Sequence, residues 1–238
     1  ALIREIDSGA VGADAAWGLR FVMLVVTVGG IFILSALIGI LNNALTAKLE
    51  ELRRGRSRVI EAGHTVILGW SPQVFTVISE LVEANANQRD PCVVILGERD
   101  KVAMEAEIRD AVGKTGRTRV VCRSGSPIVL GDLDLVGLDT ARAIIVLSPP
   151  GDDPDLSDIK TILAITNKPG RKAEPHHIVA EIADPRNLEA ARMVGRDEVE
   201  IVLTGDLISR IIAQTCRQSG LSVVYAELLD FGGDEIYF

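Results

Sequence analysis

The feature that most constrains this chain is a long apolar run near its beginning, Phe21–Leu41, which contains no charged residue. A helix of about 21 residues is long enough to cross the roughly 30 Å hydrocarbon core of a bilayer. The run is apolar on every side, whereas a core helix of a soluble protein keeps a polar stripe. Acidic residues precede it at Glu5, Asp7 and Asp14, where a signal peptide would carry a basic start. The pattern favours a membrane-spanning helix over a buried core helix or a targeting segment.

Basic residues lie mainly on one side of the apolar run. Only Arg4 and Arg20 precede it. Five follow it, namely Lys48, Arg53, Arg54, Arg56 and Arg58. The positive-inside rule then places the residues after about 45 in the cytoplasm, with the helix in the cell membrane. Because Leu45 and Leu49 continue the apolar pattern, we expect the helix to extend as a stalk to about Arg54. The basic cluster is interpreted as a topology signal that contacts headgroups, rather than as a specific lipid site.

Three glycines interrupt the apolar run, at Gly29, Gly30 and Gly39. Paired glycines weaken a helix locally and let it bend, and in a pore-lining helix they would form a gating hinge. Glycines in a membrane helix also let neighbouring helices approach closely. The spacing favours neither interpretation over the other, and both remain open.

Strand-like apolar runs alternate with helical patterns from Thr65 onward. The predicted strands are Thr65–Leu68, Cys92–Leu96, Thr118–Cys122, Ala143–Leu147, Ile178–Ile182 and Glu200–Leu203. The predicted helices are Phe75–Ala84, Lys101–Val112, Ser157–Thr166, Arg186–Val194 and Leu207–Gln218. Continuous apolar strands that alternate with helices predict a parallel sheet covered on both faces. The fold class is therefore a transmembrane helix followed by an α/β domain, a Rossmann-like doubly wound sheet of six strands in the order 3-2-1-4-5-6.

The turn after the first predicted strand is the first candidate for a binding site, because ligands of such sheets lie at strand carboxyl ends. Of the three glycines in the dinucleotide fingerprint, only Gly69 is present. The bulky Trp70 and Pro72 stand where the backbone must approach a pyrophosphate. Glu98, after the second strand, has the place of a ribose-binding acid, but a solvated acid in a charged turn is the simpler interpretation. The turn argues against NAD or another nucleotide.

A second candidate follows the third predicted strand, where Arg123 and Ser124 precede a glycine. A guanidinium and small residues at a strand end can hold an anion or a carboxylate. The alternative is a turn that starts a helix, with Ser126 as its cap and Pro127 at its first position. Both interpretations stay open, and the sequence favours the second.

Acidic residues follow the fourth and fifth predicted strands and are the candidates for a metal site. They are Asp152, Asp155, Asp158, Glu181 and Asp184. Because both groups follow strand carboxyl ends, they can converge, and calcium prefers such oxygen ligands. The spacing is not that of an EF-hand, and the same acids can instead cap the helix that follows. The sequence favours the solvated loop, and calcium is the candidate regulatory ligand if the acids converge.

The charge, the cysteines and the histidines each argue against a class of protein. The net charge of −8 argues against general nucleic-acid binding. The three cysteines, Cys92, Cys122 and Cys216, are far apart and fit neither a disulfide framework nor a zinc site. The histidines have no Cys or Ser partner in a nucleophile–base arrangement. We therefore predict no catalytic residue and no enzyme.

Three stretches resemble the CASTOR/POLLUX family of ion channels, whose cytosolic part is built of RCK domains (regulators of ion conductance). The clearest runs from Leu52 to Ser71 and is similar to the family's link between the inner pore helix and the first RCK strand. The others are residues 121–127, VCRSGSP, and 141–147, ARAIIVL. In this family a bulky Trp after the first-turn glycine is usual, which agrees with the expectation that NAD does not bind.

A fourth stretch is similar to the family's selectivity filter, which reads Ala-Asp-Ser/Ala-Gly-Asn. Asp7, Ser8 and Gly9 match this pattern, whereas Ile6 and Ala10 depart from it. A ring of Asp7 carboxylates would favour cations. The resemblance implies that residues 1–17 form the end of the pore loop and filter, 18–50 the inner pore helix and 51–64 a linker. Residues 65–220 would form the RCK N-terminal domain, and 221–238 the start of another lobe.

The resemblance also bears on the acidic residues. In calcium-gated RCK channels the ligand acids follow strands four and five, and Glu181 falls on one such position. Ala183 stands at the position two residues later, and Leu147 or Ser148 replaces the strand-four acid. A calcium site would therefore be rebuilt from the neighbouring aspartates.

The resemblance implies one subunit of a homotetrameric, ligand-gated cation channel that conducts potassium, calcium or both. Its partners would be permeant cations, the lipid bilayer and identical subunits, which associate through pore helices and RCK domains in a cytosolic gating ring, without nucleic acid. The alternative is a membrane-anchored, nucleotide-sensing regulatory module without its own pore. A third hypothesis, an NAD-dependent oxidoreductase, is disfavoured by the incomplete glycine turn and the missing acid–base pair.

Overall fold

The computed structural model describes residues 17–53, 55–151 and 153–232 of the 238-residue chain. The chain divides into two compact units, with the boundary between Leu52 and Arg53. The predicted filter residues Asp7, Ser8 and Gly9 lie outside the described residues. Each unit is described below by itself.

The first unit is characterised by helix α1, Trp17–Arg53, which includes the whole predicted apolar run and ends within one residue of the predicted stalk. Its stretch Phe21–Leu45 is long and apolar enough, by length and composition, to cross a membrane. The apolar side chains are exposed, and Phe32 and Ile33 are 74% and 70% accessible. A surface this apolar is not stable in water, so lipid or other chains must cover it.

The second unit is built around one parallel sheet. Its strands are β1 Thr65–Leu68, β2 Cys92–Gly97, β3 Arg119–Ser124, β4 Ala143–Val146, β5 Ile178–Ile182 and β6 Val199–Leu203. The helices of this unit are α2 Gln73–Ala84, α3 Lys101–Val112, α4 Leu130–Leu133, α5 Pro154–Thr166, α6 Leu188–Gly195, α7 Thr204–Arg217 and α8 Leu221–Leu229. Short 3-10 turns occupy Asp134–Val136, Leu138–Thr140, Pro185–Asn187 and Arg196–Glu198.

The described strands have the order β3-β2-β1-β4-β5-β6, and every pairing is parallel. The predicted Rossmann-like fold and strand order are therefore confirmed. The order reverses between β1 and β4, which pair from Thr65 with Ala143 to Leu68 with Val146. A crevice forms at the strand carboxyl ends at such a reversal, because the two connections leave in opposite directions.

Each face of the sheet has its own apolar core, because successive strand residues point to opposite faces. Val66 and Leu68 belong to the core that includes Ile162 and Ile165 of α5. Ile67 belongs to the other core, which packs against α2 and α3. Full burial of each such side chain contributes roughly 1.5–3 kcal/mol, so the sheet is well anchored between the two helical layers.

The connection between β3 and β4, residues 125–142, departs from the prediction. The predicted helix start at Ser126 and Pro127 is wrong, because Ser126 begins a turn in which its carbonyl accepts the Val129 N–H at 3.1 Å. The carboxylate of Asp132 accepts the Ser126 N–H at 2.9 Å, and α4 begins only at Leu130. Instead of one long crossover helix, this β3–β4 connection contains α4 and two 3-10 turns.

Three helices begin earlier than predicted, and the first of them, α2, begins at Gln73 rather than Phe75. Helix α5 begins at Pro154 rather than Ser157, because the Asp153 carboxylate accepts the Leu156 N–H at 3.3 Å and proline suits the first helical turn. Helix α7 begins at Thr204, directly after β6, rather than at Leu207. The polar residues at these helix starts do not continue the apolar periodicity of the helices. The sequence pattern therefore predicted loops there.

The last two described helices leave apolar side chains exposed. On α7 the exposed residues include Leu207, Ile208 and Ile212, and on α8 they include Val223 and Val224. Exposed apolar side chains grouped on neighbouring helices are typical of a surface that contacts other protein or a ligand.

A close backbone approach at Gly69 gives the first prediction. Gly69 adopts φ +103°, and a Cβ there would lie 2.2 Å from the carbonyl oxygen of Leu147. We expect Gly69→Ala to lower the free energy of unfolding by roughly 3 kcal/mol or more, because it adds a backbone clash to the strain of a left-handed residue. Gly170 is the matched control, since it has φ +70° but no neighbour within 4 Å.

Gly170→Ala should cost only about 1–2 kcal/mol, the strain alone. Denaturant unfolding of the full chain in detergent measures both variants. Equal losses of unfolding free energy for the two substitutions would show that the close Leu147 carbonyl does not restrict position 69 to glycine.

Candidate functional site

A cavity of about 310 Å³ opens at the carboxyl ends of the strands, where the strand order reverses. Its walls are mainly apolar. They include Trp70, Arg99, Ile128, Leu147, Pro149 and Asp158. This is the place at which open α/β sheets bind ligands, so it is the primary candidate site of the second unit.

Gly69 borders this cavity and holds β1 against its neighbours. Its N–H donates to the Leu96 carbonyl at 2.9 Å, and the Leu147 N–H donates to the Leu68 carbonyl at 2.9 Å. The glycine is needed for this close approach of strands. The function of Gly69 seen in the structure is therefore architectural, and ligand contact by this residue stays a prediction.

Trp70 fills the turn that follows β1. Its ring meets Phe75 edge-on, with centroids 5.7 Å apart, and the Arg99 guanidinium lies 5.6 Å from its ring centroid. A Cβ at Gly97 would approach the Trp70 Cβ to 3.3 Å. An indole thus occupies the turn that dinucleotide-binding domains keep free for a pyrophosphate. That NAD does not bind stays a prediction.

Glu98 and Ser124 border a second cleft, of about 430 Å³, together with Arg56 and Arg99. Glu98 is exposed at this edge. The Ser124 hydroxyl is buried and has no hydrogen-bond partner in the described part of the chain. The structure therefore brings Glu98 and Ser124 to one cleft, beside two guanidinium groups.

Arg123 is directed elsewhere. Its Nε donates to the Ser57 carbonyl at 2.6 Å, and its Nη1 donates to the Cys122 carbonyl at 2.9 Å. The first bond connects the guanidinium to the segment that precedes β1, and the second holds it on its own strand. The predicted pairing of Arg123 with Ser124 around an anion is therefore not the arrangement observed.

Asp155 is a buried carboxylate, 2% accessible, at the first turn of α5. Its Oδ1 accepts the Ala183 N–H at 2.8 Å, and its Oδ2 accepts the Asp184 N–H at 2.9 Å and the Asn187 amide at 2.8 Å. Burial acts to raise the pKa of Asp155, but these hydrogen bonds outweigh it and lower the pKa below its ordinary value. Ionised Asp155 thus holds the loop after β5.

Asp158 is equally buried, at 1% accessibility, but within the described residues its hydrogen-bond partner is a single hydroxyl, that of Ser148. Burial raises the pKa of Asp158 to about 7, and the negative charges of Glu181 and Asp155 act in the same direction. The Ser148 hydrogen bond opposes this rise. The carboxyl that borders the cavity is therefore close to half protonated at neutral pH.

Glu181 and Asp184 each have partners of their own. Glu181 accepts hydrogen bonds from the Gln73 amide at 3.2 Å and from the Thr204 hydroxyl at 2.9 Å. Asp184 pairs with the Arg186 guanidinium at 2.5 Å, and this bond lowers the pKa of Asp184. The two acids thus serve different local contacts.

The structure places the described candidate acids at one edge of the sheet but does not assemble them. Asp152 lies outside the described residues. Among residues 17–53, 55–151 and 153–232, no three His, Cys, Asp or Glu side chains form a group that could hold a metal ion. Calcium binding therefore stays a prediction.

The partners of these acids were missed by the sequence analysis. Ser148, Asn187 and Thr204 supply hydrogen bonds to Asp158, Asp155 and Glu181. Each of the three stands within a few residues of a strand's carboxyl end. This position after a strand is visible in the sequence, and it could have marked the three polar residues as site candidates together with the acids.

The histidines and cysteines offer no reactive group at this edge. His64 and His176 precede β1 and β5, at the opposite ends of the strands. Burial lowers the pKa of His176 and raises that of the Cys122 thiol to about 12. Cys216, on α7, is the exposed cysteine.

Two family models match this chain. The model described as the calcium-activated potassium channel slowpoke-like RCK domain matches residues 61–168. The model described as Castor and Pollux, part of voltage-gated ion channel, matches residues 205–238. The sheet unit therefore contains an RCK domain, the regulatory class of domain that the sequence resemblance implied.

Full-length comparisons extend the match over almost the whole chain. "Probable ion channel CASTOR" of Oryza sativa subsp. japonica is 35% identical over 97% of this chain and 26% of its own length. "Ion channel CASTOR" of Lotus japonicus is 36% identical over 97% of this chain and 27% of its own length. The chain thus spans about a quarter of the length of these relatives. The human SLO3 gating ring is a similar solved structure, with a TM-score of 0.48 and 20% identity over 74% of this chain and 30% of that chain.

The chain belongs to the CASTOR/POLLUX family of ion channels. The resemblance stated from the sequence is confirmed. The named relatives are ion channels rather than enzymes, which agrees with the prediction of no catalytic site.

Burial of Asp158 gives a prediction about pH. In the folded state the carboxyl keeps its proton up to about pH 7, whereas the ordinary value is 3.8. Folding therefore retains a proton between these values, and stability falls as the pH rises through this window. Asp158→Asn removes this dependence and keeps an acceptor for Ser148. We expect the variant to be about 2–4 kcal/mol more stable than wild type at pH 8 and equal to it near pH 4.

Thermal unfolding of the full chain in detergent at pH 4–8 measures this difference. Asp184→Asn is the control, because its native pKa is lowered and its wild-type contribution is present at neutral pH rather than in acid. A difference between Asp158→Asn and wild type that did not vary with pH would contradict the assignment.

Proposed function

We propose that this chain supplies the inner pore helix and the first gating domain of one subunit in a homotetrameric, ligand-gated cation channel. The observation that carries the proposal is the covalent continuity of α1 with an RCK domain. One segment, Phe21–Leu45, has the length and composition of a membrane span, and the chain that follows it folds as a regulatory sheet domain. A ligand that binds two states of that domain with different affinity can then shift the pore between states.

The proposed cation selectivity rests on Asp7, Ser8 and Gly9, which precede α1 by a few residues. Four subunits would contribute a ring of Asp7 carboxylates, and such rings favour cations over anions in a pore. Potassium and calcium are the permeant ions proposed. The residues after about 45 are proposed to be cytoplasmic, with α1 in the cell membrane, because the basic residues follow the span.

The glycines of α1 are proposed to serve the pore. The helix is continuous through Gly29, Gly30 and Gly39, and apart from the helix's own backbone an added Cβ at any of them would have no neighbour within 4 Å. The helix therefore has room at these positions either to bend or to receive a neighbouring helix. Both uses are compatible with a pore lined by four copies of α1.

Assembly into a ring is supported by the exposed apolar side chains of the last helices. Leu207, Ile208 and Ile212 lie on α7 and are 46%, 55% and 63% accessible. Such surface is covered in a stable assembly, and identical copies of this domain are the proposed partners. The lipid bilayer and the permeant cations complete the proposed partners of the chain.

Calcium is the proposed regulatory ligand, and no nucleotide is proposed. Asp153, Asp184 and Asn187 border a cleft of about 550 Å³ after β5, which offers the oxygen ligands that calcium prefers. Arg186 borders the same cleft and pairs with Asp184. Calcium must therefore displace this guanidinium, and the arginine acts as a competing cation.

The channel proposal is tested by cation release from liposomes that contain the full-length protein. We expect potassium release that depends on the protein, and a several-fold loss in Asp7→Asn because the ring of carboxylates is removed. Asp14→Asn is the matched control, since it removes an acid from the same flank outside the filter motif. Release from wild type that Asp7→Asn leaves unaltered would contradict the filter assignment. Liposomes without any release would favour the membrane-anchored module.

The calcium proposal has a separate test. Calorimetric titration of the chelator-treated full-length protein with calcium chloride should show binding that Asp184→Asn weakens. Arg186→Gln should strengthen it about two- to fivefold, because the exposed Arg186 guanidinium no longer competes for the Asp184 carboxylate. Arg210→Gln is the control, since Arg210 forms a similar exposed pair with Asp206 on α7. Absence of heat in both wild type and Arg186→Gln would exclude calcium at this cleft.

A further inference from the structure

The segment that joins α1 to β1 is held against the sheet domain. Residues 55–64 are named here the linker strap. At its centre, the Val59 side chain is 4% accessible, and the Val59 N–H donates to the Leu135 carbonyl at 2.7 Å. The next side chain, Ile60, is 96% exposed. The strap therefore lies as a single layer with one side on the domain and the other in solvent.

The end of the linker strap is bonded to the β3–β4 connection. The Nε2 of His64 donates to the Val136 carbonyl at 2.8 Å, and the Gly63 N–H donates to the Thr140 carbonyl at 2.8 Å. The Thr140 hydroxyl lies 3.1 Å from the Glu61 carbonyl and 3.0 Å from the Gly137 carbonyl, and its one proton is shared between these two acceptors. Three different residues of the strap thus contact one short stretch of the connection.

The beginning of the linker strap is bonded to β3, the edge strand of the sheet. The Nε of Arg123 donates to the Ser57 carbonyl at 2.6 Å, while its Nη1 binds the Cys122 carbonyl of its own strand. Arg119 pairs with Glu61 at 3.1 Å, but this pair is exposed and contributes little. The Arg123 bond to Ser57 is also exposed, but it is charge-assisted and the guanidinium is held by its own strand as well, so it is the main side-chain attachment of the strap's first half, beside the Val59 backbone bond.

These contacts decide where the domain is mechanically attached to the helix before it. A free chain from Ser57 to Gly63 could extend by roughly 20 Å, at about 3.3 Å per residue. A linker with this much slack would absorb a small displacement of the domain instead of passing it to the helix. With the strap docked, the attachment point is Ser57 rather than Thr65, and only a few residues separate it from the end of α1 at Arg53.

The β3–β4 connection touches both the strap and the candidate ligand cavity. Pro127 and Ile128 of this connection line the cavity. Leu135 and Val136, a few residues later, provide the carbonyls that hold the strap. A structural change at the cavity therefore has to pass through only this short connection to reach the linker strap.

We infer that Arg123 is a positioning residue for gating, which fixes the linker strap to β3 so that displacements of the RCK domain reach the pore helix without slack. The inference rests on the proposed channel function. It assigns to Arg123 a mechanical role in place of anion binding.

The test uses the full-length protein in liposomes, with potassium release as the functional readout. Arg123→Met removes the donors but keeps the apolar stem, and Arg123→Lys restores one donor. Arg117→Met is the matched control, because Arg117 is an exposed arginine just before β3 that makes no hydrogen bond or ion pair with the described residues. Insertion of three glycines between Arg54 and Gly55 adds slack before the strap. Thr140→Val removes the hydroxyl that reaches the Glu61 carbonyl without touching Arg123, and it leaves the bonds of Gly63 and His64 in place.

Hydrogen exchange of the same samples measures docking directly. In wild type and in Arg117→Met, the Val59 and Gly63 amides should be protected. Arg123→Met should accelerate exchange in the strap about tenfold, as expected for loss of a charged hydrogen bond. Unprotected Val59 in wild type would overturn the inference, whatever the release assay gives.

Potassium release decides the mechanical role. Arg123→Met, Thr140→Val and the glycine insertion should change release in the same direction, by about threefold or more, and Arg123→Lys should recover part of the change. If the insertion alters release but Arg123→Met and Thr140→Val do not, the strap carries no force and the inference fails while the channel function stands. If no variant alters release from conducting wild type, the inference fails in the same way. If wild type releases no potassium, the proposed function itself fails and the inference fails with it.

Discussion

The close approach of β1 and β4 is the constraint on which the carboxyl edge of this domain depends. Gly69 has no side chain, so the Leu147 carbonyl can come within 2.2 Å of the place where a Cβ would stand. That approach continues the contact of β1 with β4 to the carboxyl edge, at the point where the strand order reverses. The cavity exists because of this reversal, and Trp70 limits its chemistry by filling the turn that a pyrophosphate would need.

The acids at this edge differ in charge state because their hydrogen bonds differ. Asp155 accepts three donors and stays ionised in spite of burial, whereas Asp158 has one hydroxyl partner and titrates near neutrality. The first therefore stabilises the loop after β5, and the second can change charge without disrupting that loop. Asp184 is paired with a guanidinium at the surface, so a cation from solution competes with Arg186 for it.

The strands and their order were predictable because buried parallel strands are continuous apolar runs, as in Cys92–Leu96, and because connections in such sheets obey one handedness. The β3–β4 connection was not predictable, since its turn depends on Asp132 reaching back to the Ser126 N–H. The sequence also did not predict which groups the polar side chains would bond to. Arg123 bonds Ser57, which is 66 residues away, and a local pattern favoured an anion or a helix cap instead.

The distribution of thiols has a practical consequence. Cys92 and Cys122 are buried, and burial raises the pKa of both, which suppresses the thiolate that reacts with electrophiles. Cys216 is exposed on α7, among the apolar side chains that await a covering surface. A maleimide fluorophore would therefore attach there in the natural sequence, and its emission would report whether another surface covers that helix.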